Sequence, residues 1–386
     1  MSTARFLHAA DLHLGSPLKS LGDAIGSDAL SIVQKLVNQA FDRLVQTAID
    51  QSVDFCVFSG DIYDTADRDP GAQRRFLVGL RRLNDAGIKV FMAHGNHDPL
   101  TRDIKDGLLP PNVTVFPAGK LGVEEVTMRN GAVVTVAGVS YSKKEETENL
   151  VPLFAGLAAR TIIGVLHTNV GGDSQHGNYA PSSASDLETS PVHYWALGHI
   201  HLRTVNRTNK GWWAYPGNLQ GRNVKASECG PKGVLIIDVD SDGALSEPHF
   251  VACCAVQIER VDVDVSAVEE SAGVNDVILE RVEQILQANN VPVLLRIELV
   301  GQTDIKELIN GKWDSSQSIN EVNSVLGDGA VIKFQVSCVP RIDLVAERTR
   351  KTLLGAVLNE LDQRESNEEF QSEVTNILVN VLGADR

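Results

Sequence analysis

The chain has 386 residues, of which 43% are hydrophobic and 22% are charged. This length is more than one ordinary hydrophobic core needs, and the composition is typical of a globular rather than a disordered protein, so we expect two domains with room for a terminal appendage. The formal net charge of −15, from 35 basic and 50 acidic residues, is the opposite of what a free-standing nucleic-acid-binding protein usually shows.

Five short apolar runs in the first part of the chain are predicted to be strands. They cover residues 5–11, 53–61, 88–96, 161–168 and 193–199. Helical periodicity fills residues 29–51 and 72–87, between the first three strands. This order implies right-handed βαβ crossovers and a largely buried sheet, in which ligands bind beyond the carboxyl ends of the strands. The predicted fold class is therefore α/β.

Polar side chains stand at the end of each of these predicted strands. In chain order they are Asp11 and His13, Asp61 and Asp64, Asn96, His97 and Asp98, His167, and His199 with His201. A single polar ending is usually a loop residue, but five strand ends that bring oxygen or imidazole groups to one edge indicate a metal site. Charges at the end of a buried strand need such a partner, because burial of an unpaired charge is costly.

The residue types at this edge suit a pair of divalent cations. Two such ions about 3.5 to 4 Å apart can hold the attacking and leaving oxygens of a phosphoryl displacement and generate hydroxide near neutral pH. A bridging carboxylate must hold the ions together against their repulsion, and Asp61, directly after Gly60, is the predicted bridge. Imidazole and carboxylate ligands without thiolate are compatible with Mn²⁺, Fe²⁺ or Zn²⁺.

Five short motifs in this order resemble the blocks of the calcineurin-like metallophosphoesterase superfamily. They are DLH (11–13), GDIYD (60–64), GNHD (95–98), LHT (166–168) and GHIH (198–201). Longer stretches resemble the SbcD-type nucleases of the DNA-repair exonuclease branch, and most closely its YhaO-like members. These stretches are HAADLHLGSP, GDIYDTADRDP, YWALGHIHLRTV and YPGNLQGR. The resemblance extends over roughly residues 4–250 and is weak beyond them.

This resemblance implies an α/β core of two packed sheets flanked by helices, over residues 1–255. It also implies two divalent metal ions, with Mn²⁺ expected and Fe²⁺ or Zn²⁺ as alternatives. The first ion would be held by Asp11, His13, Asp61 and His201, and the second by Asp61, Asn96, His167 and His199.

Three further motif residues receive supporting roles. The resemblance implies that His97, beside a ligand, faces the scissile phosphate, where it would stabilise developing charge or protonate the leaving oxygen. Asp64 and Asp98 also match the motifs, and we expect them to orient histidines from behind the metal ligands.

The segment from His201 to Lys232 is basic and aromatic. It contains Trp212, Trp213, Tyr215, one acid (Glu228) and six bases, which are Arg203, Arg207, Lys210, Arg222, Lys225 and Lys232. Cations interleaved with aromatic rings suit phosphate contacts and base stacking, so we expect Arg203, Arg207 and Arg222 to bind DNA. The alternative is a hairpin whose aromatic side chains pack on a sheet.

The remainder of the chain is predicted to form a small α+β domain at residues 256–340 and a helical segment at 341–386. The resemblance implies that the small domain caps the active site. Its 14 acids against 6 bases argue against extensive DNA contact and leave a protein ligand open. The terminal segment has two amphipathic stretches separated around Ser366, which the resemblance assigns to docking on an SbcC- or YhaN-type ATPase. Packing on the small domain or on a second subunit is the alternative.

Localisation is predicted from the cysteines and the apolar runs. The five cysteines are odd in number and have no C-x-x-C spacing, which disfavours disulfides and a zinc knuckle. The longest apolar runs are too short to cross a bilayer, and no signal-peptide pattern is present. We expect a soluble, cytoplasmic protein with no membrane partner.

The predicted function is a binuclear metal-dependent phosphodiesterase, namely a DNA exonuclease in DNA repair. A phosphodiesterase for nucleotides or other small phosphoesters is an alternative that the acidic composition supports. A non-catalytic scaffold on the same fold is a second alternative, which the complete set of ligand positions disfavours.

Overall fold

The computed structural model describes residues 4–19, 21, 27–64, 69–100, 109–172, 179–326 and 329–364. Within that part of the chain, twelve strands form two six-stranded sheets. In chain order they are β1 (Ala4–Ala9), β2 (Phe55–Ser59), β3 (Lys89–Ala93), β4 (Val113–Val115), β5 (Gly122–Thr127), β6 (Val133–Gly138), β7 (Ile162–His167), β8 (Tyr194–Gly198), β9 (Thr204–Arg207), β10 (Trp212–Tyr215), β11 (Gly233–Val239) and β12 (His249–Ala252).

The first sheet has the strand order β12-β11-β1-β2-β3-β4. Strands β1 to β4 are parallel, whereas β11 and β12 run antiparallel to their neighbours. Helices α1 (Ser27–Asp50) and α2 (Pro70–Asp85) connect β1 to β2 and β2 to β3. Asp69 is the N-cap of α2, because its side chain accepts a hydrogen bond from the Ala72 N–H at 2.7 Å. Pro70 follows as the first helical residue, where no backbone N–H is needed. The predicted strand–helix–strand order is confirmed.

The second sheet has the order β5-β6-β7-β8-β10-β9, with antiparallel pairs only at its two edges. Alternate residues of β1 and β2 pack against the second sheet, where Phe6 and Phe55 stack at 5.1 Å and Tyr194 joins them. The opposite face of the first sheet packs on Phe41 of α1 and Phe76 of α2. The prediction of an α/β core with two packed sheets flanked by helices is confirmed.

The outer face of the second sheet carries a separate apolar cluster that includes Trp195, Tyr141 and Phe154. A short helix, α3 (Ala184–Thr189), covers part of it and begins with a capping box between Ser183 and Asp186. Buried residues on both faces of β7 and β8 explain why their sequences are continuous apolar runs rather than alternating ones.

Further elements follow the two sheets. They are β13 (Gln257–Asp264), α4 (Val274–Ala288), β14 (Val293–Val300), β15 (Gln302–Thr303), α5 (Lys306–Ile309), α6 (Ser315–Val325), β16 (Gly329–Val336), β17 (Val339–Pro340), α7 (Leu344–Thr349) and α8 (Leu353–Arg364). β13, β14 and β16 form a three-stranded sheet, and β15 pairs with β17. The helical C-terminal region is thus present as α7 and α8, and the second predicted stretch, 367–386, lies outside the described residues.

The chain divides into two compact units. The first consists of Met1–Val261, Arg281–Ile297 and Ile319–Phe334, and the second of Asp262–Glu280, Glu298–Ser318 and Gln335–Arg386. The division at residues 255 and 340 stays a proposal about independently folding domains. None of the described helices combines the length and the apolar composition that a membrane span requires.

Candidate metal centre

The seven predicted metal ligands all lie at the edge where the strands of both sheets end. Asp11 and His13 follow β1, Asp61 follows β2, Asn96 follows β3, His167 ends β7, and His199 and His201 follow β8. Six of them are buried, and His201 is half-buried. Polar groups buried at this density need either mutual hydrogen bonds or cations.

Left-handed backbone conformations are concentrated at this edge. Four of the predicted ligands have positive φ angles, namely Asp11 (51°), His13 (43°), Asp61 (50°) and His199 (109°). Only seven residues other than glycine have positive φ in the described part of the chain, so more than half are predicted ligands. Each such conformation costs about 1–3 kcal/mol and persists where the surroundings enforce it, which is common at functional sites.

The motif glycines allow the strand ends to approach one another. A β-carbon on Gly60 would lie 2.3 Å from Nδ1 of His167, and one on Gly95 would lie 2.3 Å from Oδ1 of Asp61. Any larger residue would therefore displace a predicted ligand. The glycines of the GDIYD and GNHD motifs are thus required by the packing of the centre.

One group of ligand atoms consists of Asp11, His13 and His201, all within 4.8 Å of one another. The Nε2 atoms of His13 and His201 are 3.1 Å apart, and Nε2 of His201 is 3.9 Å from Oδ1 of Asp11. Two imidazole nitrogens that face each other at this distance beside a carboxylate can share one cation.

A second group consists of Asp11, Asp61 and His167. Nε2 of His167 is 3.5 Å from Oδ2 of Asp61 and 3.0 Å from Oδ1 of Asn96. The same Oδ2 atom of Asp61 is 3.9 Å from Nε2 of His13 in the first group. Asp61 therefore stands between the two groups, as a bridging carboxylate requires.

His199 is placed differently from the other predicted ligands. Its ring lies 5.3 Å from that of His167, and its backbone N–H donates to both oxygens of Asp11 at 3.0 and 3.1 Å. Among the described residues, the sets of three ligand atoms within 4.8 Å of one another include His97 but not His199. The assignment of His199 as a ligand of the second ion stays a prediction.

Burial and like charges shape the electrostatics of the centre. Burial, and then the neighbouring Asp61, raise the pKa of Asp11 well above its usual value. Burial, Arg222 and the neighbouring histidines lower the pKa of His13 well below its usual value, so its ring is neutral near pH 7. Two buried carboxylates beside neutral imidazoles are suited to divalent cations, which remove the repulsion and take the free nitrogen lone pairs.

His167 and His201 are each oriented by an acceptor behind the ring. Nδ1 of His167 donates to the carbonyl of Ser59 at 2.9 Å, and Nδ1 of His201 donates to Oε1 of Glu228 at 2.8 Å. In both rings this leaves Nε2 without the proton and directed into the centre, as a metal ligand requires.

Glu228 is a functional candidate that the motifs did not reveal. Its carboxyl group is buried, and burial by itself raises the pKa. The hydrogen bond from His201 and the charge of Arg222 outweigh this effect and lower the pKa to about 2. The carboxylate is therefore ionised and accepts from Asn218 and from the Arg222 N–H as well. Its position as the one acid in a basic stretch is the signal from which it could have been found.

Asp64 and Asp98 support the centre in different ways. Oδ1 of Asp64 lies 3.2 Å from Nδ1 of His13 and also pairs with Arg222. Asp98 is fully buried and accepts the backbone N–H groups of residues 62, 63 and 95, while its histidine partner is His94 at 2.9 Å. Asp98 thus holds the loops that carry Asp61 and Asn96, and Asp64 contacts a predicted ligand directly.

His97 lies at the mouth of the centre. Its ring is half-buried and stands 4.8 Å from that of His13, and its backbone N–H donates to Oδ1 of Asp61 at 2.9 Å. Nδ1 donates to the carbonyl of Asp64 at 2.7 Å, since a carbonyl can only accept. Nε2 is consequently the atom through which His97 can act on a bound group.

The basic segment does not form one continuous patch. Lys232 is buried and donates to the carbonyl of His201 at 2.8 Å, and Arg222 pairs with Asp64. Arg203 is exposed over the ring of Phe250 at 3.9 Å. Arg207 is exposed beside Trp212, at the amino end of β8 and hence at the opposite edge of the sheet from the centre.

The aromatic residues of the same segment pack on the second sheet. Trp213 joins the outer cluster of that sheet, while Trp212 contacts the layer between the sheets and Tyr215 is buried. This placement is the one that the hairpin alternative describes.

A double sheet whose strand ends gather carboxylates and imidazoles in two adjoining groups defines a metallophosphoesterase. Residues 4–203 match the profile of the calcineurin-like phosphoesterase family, and the chain belongs to that family. The clustered histidines and aspartates are suited to a dinuclear metal site.

Comparisons with known proteins give, among others, two similar sequences and one weakly similar structure. The metallophosphoesterase YhaO of Bacillus subtilis is 30% identical over 77% of this chain and 71% of its own length. The DNA double-strand break repair protein Mre11 of Aeropyrum pernix is 28% identical over 63% of this chain and 60% of its own length. A dimetal phosphatase from Danio rerio has a TM-score of 0.38 at 11% identity, covering 64% of this chain and 97% of that structure.

Proposed function

We propose that this metallophosphoesterase is a DNA exonuclease of the SbcD/YhaO type that acts in DNA repair. The observation that carries phosphodiester hydrolysis is the position of Asp61 Oδ2 between two groups of ligand atoms, with His97 at their edge. The similarity to Mre11 proteins supports DNA as the substrate, although this chain spans only 60% of the Aeropyrum pernix protein.

The first ion would be held by Asp11, His13, Asp61 and His201, and the second by Asp61, Asn96, His167 and His199. We propose Mn²⁺, with Fe²⁺ or Zn²⁺ as alternatives that the same ligand types accept. When bound, such a pair supplies a hydroxide nucleophile and neutralises the charge of the phosphate.

We assign to His97 the role of the general acid, which donates a proton to the leaving oxygen. The hydrogen bond from its Nδ1 to the carbonyl of Asp64 fixes the ring and turns Nε2 toward the substrate. His97 would act as the acid in its imidazolium form, in which Nε2 carries the second ring proton and passes it to the leaving oxygen. A general acid of this kind contributes about 10²- to 10⁴-fold to the rate. The buried hydrogen bond from the Gly95 N–H to Asp98 keeps the loop of His97 in place, and neither residue is assigned a role in the chemistry.

Arg203, Arg207 and Arg222 remain the proposed contacts to DNA phosphates. Arg222 is the closest of the three to the centre, since it pairs with Asp64 beside His13, and the 19% of its side chain that is exposed is the part that a phosphate would contact. Arg203 precedes the edge strand β9 and Arg207 is its last residue, so about 13 Å of strand at roughly 3.3 Å per residue separates them. A nucleic-acid strand that touches both must run along this edge.

A partner ATPase of the SbcC or YhaN type is proposed to dock on the helical C-terminal region. Apolar side chains are exposed on α7 and α8, including Val345 at 74% and Leu353 at 83% of their free accessibility. An ion pair between Arg348 and Asp362 at 2.7 Å ties these two helices together. Because the chain carries a net charge of −15, such a partner would supply much of the affinity for DNA. A second copy of the chain is the alternative occupant.

Hydrolysis of nucleotides or other small phosphoesters is the second candidate function. The observation that favours it is the inward position of Arg222 and Lys232, which leaves fewer cations for a long polyanion than the sequence suggests. A non-catalytic scaffold is disfavoured, because every predicted ligand position carries an imidazole, carboxylate or amide side chain that is able to bind a metal ion.

The experiment that tests the proposal compares two substrates. Purified full-length protein is assayed with Mn²⁺ on end-labelled single- and double-stranded DNA and on bis-p-nitrophenyl phosphate, with and without the ATPase. Release of labelled nucleotides from DNA ends supports the exonuclease. Hydrolysis of the small diester without any cleavage of DNA, even with the ATPase present, would replace it with the small-phosphoester function.

A further inference from the structure

Arg222 is connected to both carboxylates that stand behind the histidines of the first metal group. Its guanidinium pairs with Oδ1 of Asp64, and its backbone N–H donates to Oε2 of Glu228 at 3.0 Å. Oδ1 of Asp64 in turn lies 3.2 Å from Nδ1 of His13, a charge contact without hydrogen-bond geometry, and Oε1 of Glu228 accepts from Nδ1 of His201 at 2.8 Å. A single residue therefore links the supports of two ligands that are distant in sequence.

The side-chain half of this link acts through Asp64. Arg222 is 19% exposed and Asp64 15% exposed, so the ion pair is largely removed from water. Loss of one partner of such a pair leaves an uncompensated charge, which is strongly destabilising locally. Asp64 would then lose its orientation toward Nδ1 of His13, and its main-chain carbonyl, which accepts from His97, would be less firmly held.

The main-chain half acts through Glu228 and does not depend on the side chain of residue 222. Oε2 of Glu228 also accepts from Asn218 at 2.7 Å, and the carbonyl of His201 accepts from Lys232 at 2.8 Å. Glu228 therefore keeps donors on Oε2 whatever side chain residue 222 carries, whereas the cation that pairs with Asp64 comes from the Arg222 side chain. A substitution at Arg222 should affect the His13 side selectively.

We propose that Arg222 is a positioning residue for the site of the first metal ion. It fixes Asp64, and Asp64 in turn fixes the metal ligand His13. This role rests on the proposed dinuclear centre and is separate from the proposed phosphate contact, since it operates without substrate. Replacement of a residue that orients a metal ligand typically lowers metal affinity by about 10- to 100-fold. The second ion, bound beside His167 and Asn96, should keep its affinity.

The test is a titration of the metal-free, full-length protein with Mn²⁺ in the absence of DNA, with free Mn²⁺ measured by its electron paramagnetic resonance signal. The wild type should bind two ions. Arg222→Gln should bind one ion as the wild type does and the other about 10- to 100-fold more weakly. Arg222→Lys, which keeps a cation for Asp64, should recover most of the lost affinity. Arg129→Gln, which breaks the pair with Asp54 at the other end of β2, is the matched control and should bind both ions normally.

Asp64→Asn is a second variant of the same ion pair, which tests the proposal independently if the Arg222 variant folds poorly. It should weaken the same ion, and the double variant should be no weaker than the more affected single variant, because both act through one pair. Wild-type affinity for both ions in Arg222→Gln would overturn the proposal, as would fully additive effects in the double variant. Failure of the wild type to cleave DNA would refute the nuclease while leaving this titration unaffected.

Discussion

Replacement of Glu228 by glutamine should disable His201 as a metal ligand while preserving the shape of the side chain. Oε1 of Glu228 accepts from His201, and Oε2 accepts from both Asn218 and the Arg222 N–H. An amide has one accepting oxygen and one donating nitrogen, so one of these two sides must receive the NH₂ group. The two orientations are not equivalent.

The difference in free energy between the two amide orientations follows from the number of hydrogen-bond donors that face each end of the side chain. With the amide oxygen toward His201, two buried donors, from Asn218 and Arg222, would lose their acceptor. With the NH₂ group toward His201, the imidazole can adapt by moving its proton from Nδ1 to Nε2. The second orientation is favoured by about 1–3 kcal/mol for each buried donor that keeps its bond. The Nε2 atom of His201 is then protonated and cannot bind a metal ion.

We therefore expect Glu228→Gln to lose about 10- to 100-fold in affinity for one ion, with little change in fold. The assay is the Mn²⁺ titration of metal-free protein, combined with ¹⁵N–¹H correlation spectra that report which ring nitrogen of His201 carries the proton. Glu298→Gln is the matched control, since this buried glutamate accepts from Ser337 and Gln335. Unchanged affinity for both ions, or a ring proton that stays on Nδ1, would refute the reasoning.

Four further outcomes are expected. Asp61→Asn should abolish turnover and lower the number of bound ions measured by metal analysis, and two ions with full activity would contradict the bridge. His97→Ala should keep both ions yet lose about 10²- to 10⁴-fold in kcat, whereas loss of metal would make it a ligand. Burial, opposed in part by the Leu197 carbonyl, lowers the pKa of His8 from 6.5 to about 3. Below pH 6.5 the unfolded chain therefore binds a proton that the folded protein does not, and the contribution of His8 to the free energy of unfolding is lost as the pH falls toward 3. Urea unfolding should show a loss of about 2 kcal/mol between pH 7 and pH 5 that is absent in His8→Asn. Deletion of residues 342–386 should leave hydrolysis of a small diester intact and abolish binding to the ATPase in a pull-down, and full binding by the truncated chain would contradict the docking proposal.

The predicted strands and the edge at which their ends meet could be derived from the sequence, because both depend on local patterns. Apolar runs buried on both faces specify parallel strands, and a parallel sheet brings the carboxyl ends together. The placement of Asp61 between two ligand groups follows from this geometry once Gly60 permits the close approach of His167. These features need no knowledge of how distant segments pack.

The supports behind the ligands could not be derived in this way. Glu228 reaches His201 across 27 residues, and Arg222 reaches Asp64 across 158 residues. A count of charges between His201 and Lys232 gives the sign of the segment but not the direction of each side chain. Arg222 and Lys232 turn inward because carboxylate and carbonyl acceptors there are buried, which only the packed structure reveals.

The hydrogen bond from the backbone of His199 to Asp11 spans 188 residues, nearly half the length of the chain. During synthesis at about 5–20 residues per second, Asp11 would emerge on the order of 10 s or more before its partners, as an acidic group with no cation pocket around it. Pairings of such long range form late, since the intervening chain must first be ordered. A complete pocket for two ions therefore exists only after Glu228 has left the ribosome, and metal uptake should report the last stage of maturation rather than guide the first.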